Sequence, residues 1–302
     1  MTTSYCLIKY LSIIILKSYI LLRIRPAMQS GYPAYFQIYA FNSLSLMIDA
    51  AQAILLGTLQ GITEWLPISS EGQSMLFMIG WLNISPQEAF SCSIFLHLGT
   101  MFSVLIRFKD EFIHALKNTG SQMTRILIIS TICTAITGIP LYLLFREGFQ
   151  GGMPATLLIG ALLILTGLLL RLKGSGARSI QDMNALDMVI LGLAQGFSIL
   201  PGVSRSGTTL TVLLMRNLKQ DDSLAISFMI SVPAVMGALI LDHSLGQMSL
   251  ASAFLALLAS FGAGYLTMDL LIAYAKKVNF SGFCITMGLL TLFLAYIFKA
   301  AG

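Results

Sequence analysis

The chain has 302 residues, of which 56% are hydrophobic and only 10% are charged. This composition indicates a membrane protein rather than a soluble globular domain. Lys and Arg outnumber Asp and Glu by 18 to 13, which gives a net charge of +5. In a membrane protein such an excess marks cytoplasmic loops, so nucleic acid is not an expected partner.

Residues 1–46 differ from the rest of the chain. They contain an apolar segment interrupted by Lys9, Lys17 and Arg23, and no clear cleavage site follows it. We interpret this N-terminal extension as an extra anchoring helix, an uncleaved signal-like segment or a start-site artefact. The last alternative arises because "MIDAAQAILLGTLQG" from Met47 resembles a natural start. We expect residues 47–302 to form a single membrane domain.

Six stretches of this domain are apolar enough to cross a bilayer, which takes about 20 residues as a helix. They are residues 89–108, 123–145, 153–172, 224–241, 250–275 and 282–298. Two further apolar regions, 47–81 and 186–215, are interrupted by Pro, Gly and polar residues. The sequence therefore predicts an all-α polytopic membrane protein with about six transmembrane helices and two re-entrant hairpins of broken helices.

The first broken region contains a cluster of polar groups that lipid would not accept without partners. In chain order these are Gln60, Glu64, Ser69, Ser70, Glu71 and Gln73. Gln60 and Glu64 are four residues apart and share one helix face, and Pro67 then breaks the helix. A carboxylate beside hydroxyl groups suits hydrolysis, with a nucleophile or activated water and an acid/base.

The second broken region contains "PGVSRSGTT", in which Arg205 is surrounded by Ser204, Ser206, Gly207 and Thr208. Free N–H groups at a helix start attract anions, and the guanidinium fork of arginine matches phosphate oxygens. We therefore expect Arg205 to clamp a phosphate and its neighbours to bind it. Two alternatives remain: the hydroxyls only ease helix packing while Arg205 extends to the membrane interface, or Glu64 only neutralises the arginine.

The histidines carry less information. His114 and His243 fall in predicted loops. His97 lies within a predicted span, where histidine is rare, and it either reaches the polar site or bonds a neighbouring carbonyl.

The two broken regions also resemble each other. At a constant offset of 135 positions, the identical pairs include Gly57 with Gly192, Gln60 with Gln195, Gly61 with Gly196, Ser69 with Ser204 and Gly72 with Gly207. Each region then continues into a full span. We interpret the chain as a duplicated unit, with repeat 1 at about 47–145 and repeat 2 at about 186–276.

Basic residues indicate how the repeats are oriented. They cluster near Arg107, Arg171, Arg216 and Lys276, which the positive-inside rule places in the cytoplasm. The first hairpin then enters and leaves on the outer side, and the second on the cytoplasmic side. We expect the inverted hairpins to meet near the membrane midplane, where irregular backbone must be buried or line a watery cavity.

These loops resemble the motifs of the undecaprenyl-diphosphatase family of bacitracin-resistance membrane proteins. The family has an (E/Q)-x-x-x-E helix leading into a P-x-S-S-x-G-H-like loop, and a P-G-x-S-R-S-G-x-T loop. Here they are "QGITE" (60–64), "PISSEGQ" (67–73) and "PGVSRSGTT" (201–209). The second match is complete, and the resemblance covers nearly everything from Met47 onward.

The resemblance implies hydrolysis of a polyprenyl (undecaprenyl) diphosphate to the monophosphate and inorganic phosphate. This recycles a lipid carrier for cell-envelope glycan synthesis such as that of peptidoglycan, and it implies bacitracin resistance. By motif position, Glu64 is the retained acidic residue, Ser70 the nucleophilic or phosphate-contacting serine, and Arg205 the phosphate clamp. The resemblance further implies a divalent cation, Mg²⁺ or Ca²⁺, a plasma (inner) membrane location and a site open to the outer face. No organic cofactor is expected.

The first loop departs from the family at two positions. Gln73 stands where the family has a histidine, and Glu71 where it has serine or threonine. Because glutamine cannot shuttle a proton, Glu71 or Glu64 takes over proton transfer, or the reaction uses a metal-bound water, or this member acts on a different lipid. We favour Glu71 as the replacement.

The expected partners are the bilayer and the lipid substrate. A homodimer of two copies of the chain is a further expected assembly. One rival function is a polyprenyl-phosphate flippase, because inverted repeats with broken helices are also a transporter architecture. A flippase would use Arg205 to bind the headgroup without needing Glu64 and Ser70 in catalytic positions.

Overall fold

The computed structural model describes residues 47–148, 152–172, 176–278 and 280–301, with side chains as far as Ile297. The N-terminal extension, 1–46, lies outside the described residues. Within the described ranges the chain is helical and has no β-strand beyond two isolated bridges, Ile48 with Met248 and Arg178 with Leu218. The predicted all-α fold is confirmed.

Eleven α-helices follow one another in the described residues. They are α1 (Ala50–Thr63), α2 (Ser70–Trp81), α3 (Pro86–Arg107), α4 (Lys109–Lys117), α5 (Gln122–Gly148), α6 (Gly152–Leu169), α7 (Ala185–Gly196), α8 (Arg205–Met215), α9 (Gln220–Leu241), α10 (Leu250–Ala275) and α11 (Ser281–Ala301). Two 3₁₀ turns, Ile180–Asp182 and Phe197–Ile199, flank α7.

Five of these helices, α3, α5, α6, α9 and α10, are long and apolar enough to cross a membrane. Each corresponds to a predicted span. The sixth predicted span forms α11, whose described apolar part, Ser281–Ile297, is shorter than the other five. The chain is therefore a multi-pass membrane protein.

The first broken region forms α1 and α2, separated by residues 64–69. Asp49 caps the start of α1 and forms a capping box with Gln52. Pro67 lies in the break, and Ser69 then caps α2 by accepting a hydrogen bond from the N–H of Gly72. Ser69 has a φ of 58°, a left-handed conformation that few residues other than glycine adopt. The predicted interruption of this helix is confirmed.

The second broken region forms α7 and α8 in the same way. Asn184 caps α7 with a capping box to Asp187, and Ser204 caps α8 by accepting from the N–H of Gly207. The helix starts repeat at the offset seen in the sequence, since Ala50 and Ala185 are 135 residues apart, as are Ser70 and Arg205. The inverted orientation of the two hairpins stays a prediction.

Glycines bring each hairpin against a different long helix. A Cβ on Gly57 would lie 2.2 Å from the carbonyl oxygen of Ala256 in α10, and a Cβ on Gly192 would lie 2.3 Å from that of Ser130 in α5. These approaches are possible only without a side chain, as is common where membrane helices pack closely. The long helices thus hold α1 and α7 in place, and with them the loops that follow.

Candidate active site

The two broken loops contact each other directly. The hydroxyl oxygen of Ser69 accepts the N–H of Gly202 at 3.0 Å as well as that of Gly72 at 3.3 Å. The hydroxyl of Ser206 donates to the carbonyl of Leu66 at 3.3 Å. Both loops are therefore tied together through buried hydrogen bonds, and residues 64–71 and 204–206 face one another.

Glu64 is the centre of the site. Its Oε2 accepts hydrogen bonds from Gln60 Nε2 and Ser70 Oγ, both at 2.8 Å, and lies 3.3 Å from Nε2 of His97. Its Oε1 pairs with the guanidinium of Arg205. The side chain is only 5% exposed. A buried carboxylate surrounded by four donors is stabilised as an anion and is fixed in position.

Arg205 is the first residue of α8 and is held on two further sides. Its Nη1 donates to the carbonyl of Ser227 at 3.1 Å, and its guanidinium carbon lies 5.5 Å from the centre of the Phe228 ring. Both contacts come from α9. The ring face favours a cation at this place, so the guanidinium is positioned before any ligand arrives.

His97 is the site residue that the sequence did not select. Its Nδ1 contacts the carbonyl oxygen of Ser93, one turn earlier in α3, at 2.7 Å, while its Nε2 faces Glu64. Both alternatives raised for this residue are therefore present at once. The rarity of an intramembrane histidine is the signal that could have selected it, but the position of α3 beside the first loop follows only from the three-dimensional fold.

Glu71 is buried in the first turn of α2, where Ser93 donates a hydrogen bond to it at 3.4 Å. Gln73 donates from Nε2 to the carbonyl of Ile68 at 3.3 Å. It therefore supports the backbone of its own loop. Glu71 therefore lines the polar pocket of the site, whereas Gln73 does not line it.

The remaining predicted phosphate contacts differ in their positions. Ser204 and Ser206 face the small pocket between the loops, and their hydroxyl oxygens are 3.4 Å apart. The N–H of Gly207 is occupied by Ser204 at 3.1 Å. Thr208 Oγ1 is buried, with no hydrogen-bond partner in the part of the chain that the structure describes. Gln60 contacts the site through its hydrogen bond to Glu64.

Two adjoining cavities meet at this cluster. The small polar pocket, of about 20 Å³, is lined by Glu64, Ser69, Ser70 and the second loop. The large one, of about 340 Å³, is mostly apolar and lies between α3, α5 and α9. Four residues line both, and these are Glu71, His97, Ser198 and Arg205. The arrangement places charged groups at the inner end of an apolar chamber.

The residues present do not form a metal site of their own. Among the described residues, no three His, Cys, Asp or Glu side chains are grouped so that they could hold a metal ion. Both oxygens of Glu64 already bind protein donors, including Arg205. The divalent cation implied by the resemblance stays a prediction.

Comparisons with known proteins identify the family to which the chain belongs. A family model described as "Bacitracin resistance protein BacA" matches residues 53–293. A protein of Methanothrix thermoacetophila named undecaprenyl-diphosphatase is 59% identical over 251 residues, covering 82% of this chain and 97% of its own length. Proteins of the same name from Methanopyrus kandleri and Alkaliphilus metalliredigens are 38% and 35% identical, covering 80% and 75% of this chain and 94% and 90% of their own. The chain belongs to the BacA family of bacitracin resistance proteins.

Proposed function

We propose that the chain hydrolyses a polyprenyl diphosphate, such as undecaprenyl diphosphate, to the monophosphate and inorganic phosphate. One observation carries this proposal: Glu64 is hydrogen-bonded to Ser70 and paired with Arg205 where a polar pocket meets an apolar chamber. A base, a hydroxyl and a fixed cation beside a lipid-sized cavity suit a lipid phosphatase. The names of the relatives support the same activity.

The headgroup would bind between the loops. The helices α2 and α8 begin at Ser70 and Arg205, so both direct their N-terminal N–H groups and positive dipole ends towards the pocket. At about 20 Å³ the pocket has room for roughly one water, so a phosphate must widen it. Rotation of the Arg205 guanidinium from Glu64 towards the phosphate would supply this space. The first isoprene units would then lie in the 340 Å³ chamber.

The reaction would begin at Ser70. Glu64 takes the hydroxyl proton across the 2.8 Å hydrogen bond, and the serine oxygen attacks the terminal phosphorus. The bond from that phosphorus to the bridging oxygen breaks, and Arg205 stabilises the charge that develops on the transferred group. Water then hydrolyses the phosphoserine, which returns Ser70 and releases inorganic phosphate.

The flippase alternative is not favoured. A carrier requires the headgroup to bind but has no use for a carboxylate that is hydrogen-bonded to a serine beside the clamp. Release of phosphate from a substrate in detergent separates the two functions, because no transport is possible there.

The test compares purified wild type with Glu64→Gln and Ser70→Ala in detergent, using a polyprenyl diphosphate and a phosphate-release assay. We expect both variants to lose release by at least ~100-fold, by analogy with loss of an acid/base or nucleophile. Both should still be stabilised thermally by the substrate. Glu111→Gln, at an exposed position in α4, is the matched control. Binding without release by the wild type would favour the flippase.

Three further features are proposals in the same sense. We place the protein in the plasma membrane, because lipid carriers of the cell envelope are recycled there. The divalent cation would be tested by assaying release with and without a chelator. The homodimer would be tested by the mass of the purified protein in detergent.

A further inference from the structure

A proton donor assists departure of the leaving oxygen when the diphosphate is cleaved, and the first loop offers Gln73 where the family has a histidine. His97 reaches the same site from a different element, α3. It lines the polar pocket and the apolar chamber together. A lipid diphosphate that fills both spaces would place its bridging oxygen where they meet, next to this imidazole.

The hydrogen bonds of His97 define where its protons are. The carbonyl oxygen of Ser93 can only accept, so Nδ1 of His97 carries a proton in the 2.7 Å contact. Nε2 faces Oε2 of Glu64 at 3.3 Å, and two lone pairs would repel there. A proton therefore lies between Nε2 and Oε2. The ring is oriented by its own helix and holds a transferable proton at the inner end of the chamber.

We propose that His97 is the general acid of the reaction, a role that rests on the proposed phosphatase function. When the bond between the terminal phosphorus and the bridging oxygen breaks, the electron pair stays on the bridging oxygen, which becomes part of the lipid monophosphate. The proton on Nε2 moves to that monophosphate. The proton that Glu64 took from Ser70 then passes to Nε2 across the 3.3 Å contact, and both groups return to their starting states.

The charged groups around His97 come from three elements. Glu64 follows α1, Glu71 lies in α2, and Arg205 begins α8. From α5 and α9 the chamber receives only uncharged side chains such as Thr134 and Ser231. Glu64 and Glu71 both line the polar pocket with His97, while Arg205 pairs with the far oxygen of Glu64. Glu71 accepts a hydrogen bond from Ser93, whereas Nε2 of His97 faces Glu64 directly, so His97 is the group that links the base to the leaving oxygen.

The decisive variant is His97→Gln, because glutamine keeps an N–H donor near Glu64 but cannot transfer a proton. We expect kcat for a polyprenyl diphosphate to fall by about 100-fold while KM changes by a few-fold, as for loss of a general acid. His114→Gln, on the exposed face of α4, is the matched control and should keep wild-type kcat. Thermal unfolding of each variant in detergent shows whether the fold survives.

Rescue of activity by added imidazole separates a lost proton donor from a misfolded protein, because only a folded variant can be rescued. In His97→Ala, added imidazole should restore part of kcat, whereas it should not restore Glu64→Gln. If His97→Gln retains kcat within about 3-fold of the wild type, His97 is only a partner that orients Glu64. The same conclusion follows if His97→Ala is folded but imidazole does not restore its kcat. If the wild type itself releases no phosphate, the proposed function fails first, so the two failures are distinguishable.

Discussion

The two broken hairpins share a scaffold but divide the chemistry. Of the residues that coincide at the offset of 135, the glycines and serines have architectural roles, whereas Gln60 donates to Glu64 and Gln195 to Thr134. Gly57 and Gly192 pack against long helices, and Ser69 and Ser204 cap the helices that restart. Identity between the repeats therefore marks how the hairpins are built.

Differences between the hairpins mark the site. Glu64 corresponds to Ile199, and Ser70 corresponds to Arg205. In the proposed reaction the first hairpin thus supplies the base and the hydroxyl, while the second supplies the cation. Neither hairpin alone has the complete set, so the proposed site is asymmetric and forms where the two hairpins meet.

The two hairpins also differ at the end where the chain enters and leaves each of them. Asp187, at the start of α7, is buried and accepts hydrogen bonds from Arg178 at 2.6 Å and Arg216 at 2.5 Å. The equivalents of Asp187 and Arg216 in the first hairpin are Gln52 and Trp81. Ion pairs therefore link the start of α7 to the residue after α8. They hold in place α8, the helix that begins with Arg205.

The first prediction has an all-or-none outcome and tests whether the hairpins are inverted. Single cysteines at Asn83 and Lys219, both exposed, should react with a membrane-impermeant reagent from opposite sides of the membrane. The background would lack the four native cysteines. Labelling of both positions from the same side would contradict the inverted arrangement and leave only the shared scaffold.

The second prediction tests the division of chemistry. Arg205→Ala should lower phosphate release by at least ~100-fold, as when a transition-state charge stabiliser is removed. Arg205→Lys should recover little, because an ammonium cannot both donate to Ser227 and present a planar fork to a phosphate. Lys219→Ala, at an exposed cation, is the control. Near-normal turnover of Arg205→Lys would show that a point charge suffices.

The sequence was sufficient for the elements and for part of the site. Apolar runs and breakers predict the spans and the two interruptions, because each depends on local composition. Glu64 and Arg205 could be paired because a buried charge in lipid needs a partner. His97 could not be placed, because its contact with Glu64 depends on the rotation and depth of α3 relative to α1. The support of Arg205 by Ser227 depends on α9 in the same way.

The third prediction concerns the shared glycines. Gly57→Ala and Gly192→Ala should each destabilise the protein by about 1–3 kcal/mol, since the new Cβ overlaps a backbone carbonyl and the helices must separate. Thermal unfolding in detergent would measure this. Gly80→Ala is the control, because its Cβ would meet nothing within 4 Å and a helix prefers alanine. Equal melting temperatures for all three variants would contradict the proposed role of Gly57 and Gly192 in helix packing.

The last prediction compares the two capping serines, which the sequence assigns alike to phosphate binding. Ser204→Ala removes an acceptor for the N–H of Gly207 and should cost about 1 kcal/mol, as is usual for a lost helix cap. Ser69→Ala leaves two buried N–H groups unpaired, those of Gly72 and Gly202, and should cost roughly twice as much.

A glycine at position 69 distinguishes the causes of this loss. Ser69→Gly relieves the left-handed φ of 58° but still removes the hydroxyl that ties the loops together. We therefore expect it to be more stable than Ser69→Ala and less stable than the wild type. If the hydroxyl instead binds phosphate, both variants should raise KM strongly while their melting temperatures stay near that of the wild type. In that case the shared serine belongs to the chemistry of the site, and identity between the hairpins marks more than their scaffold.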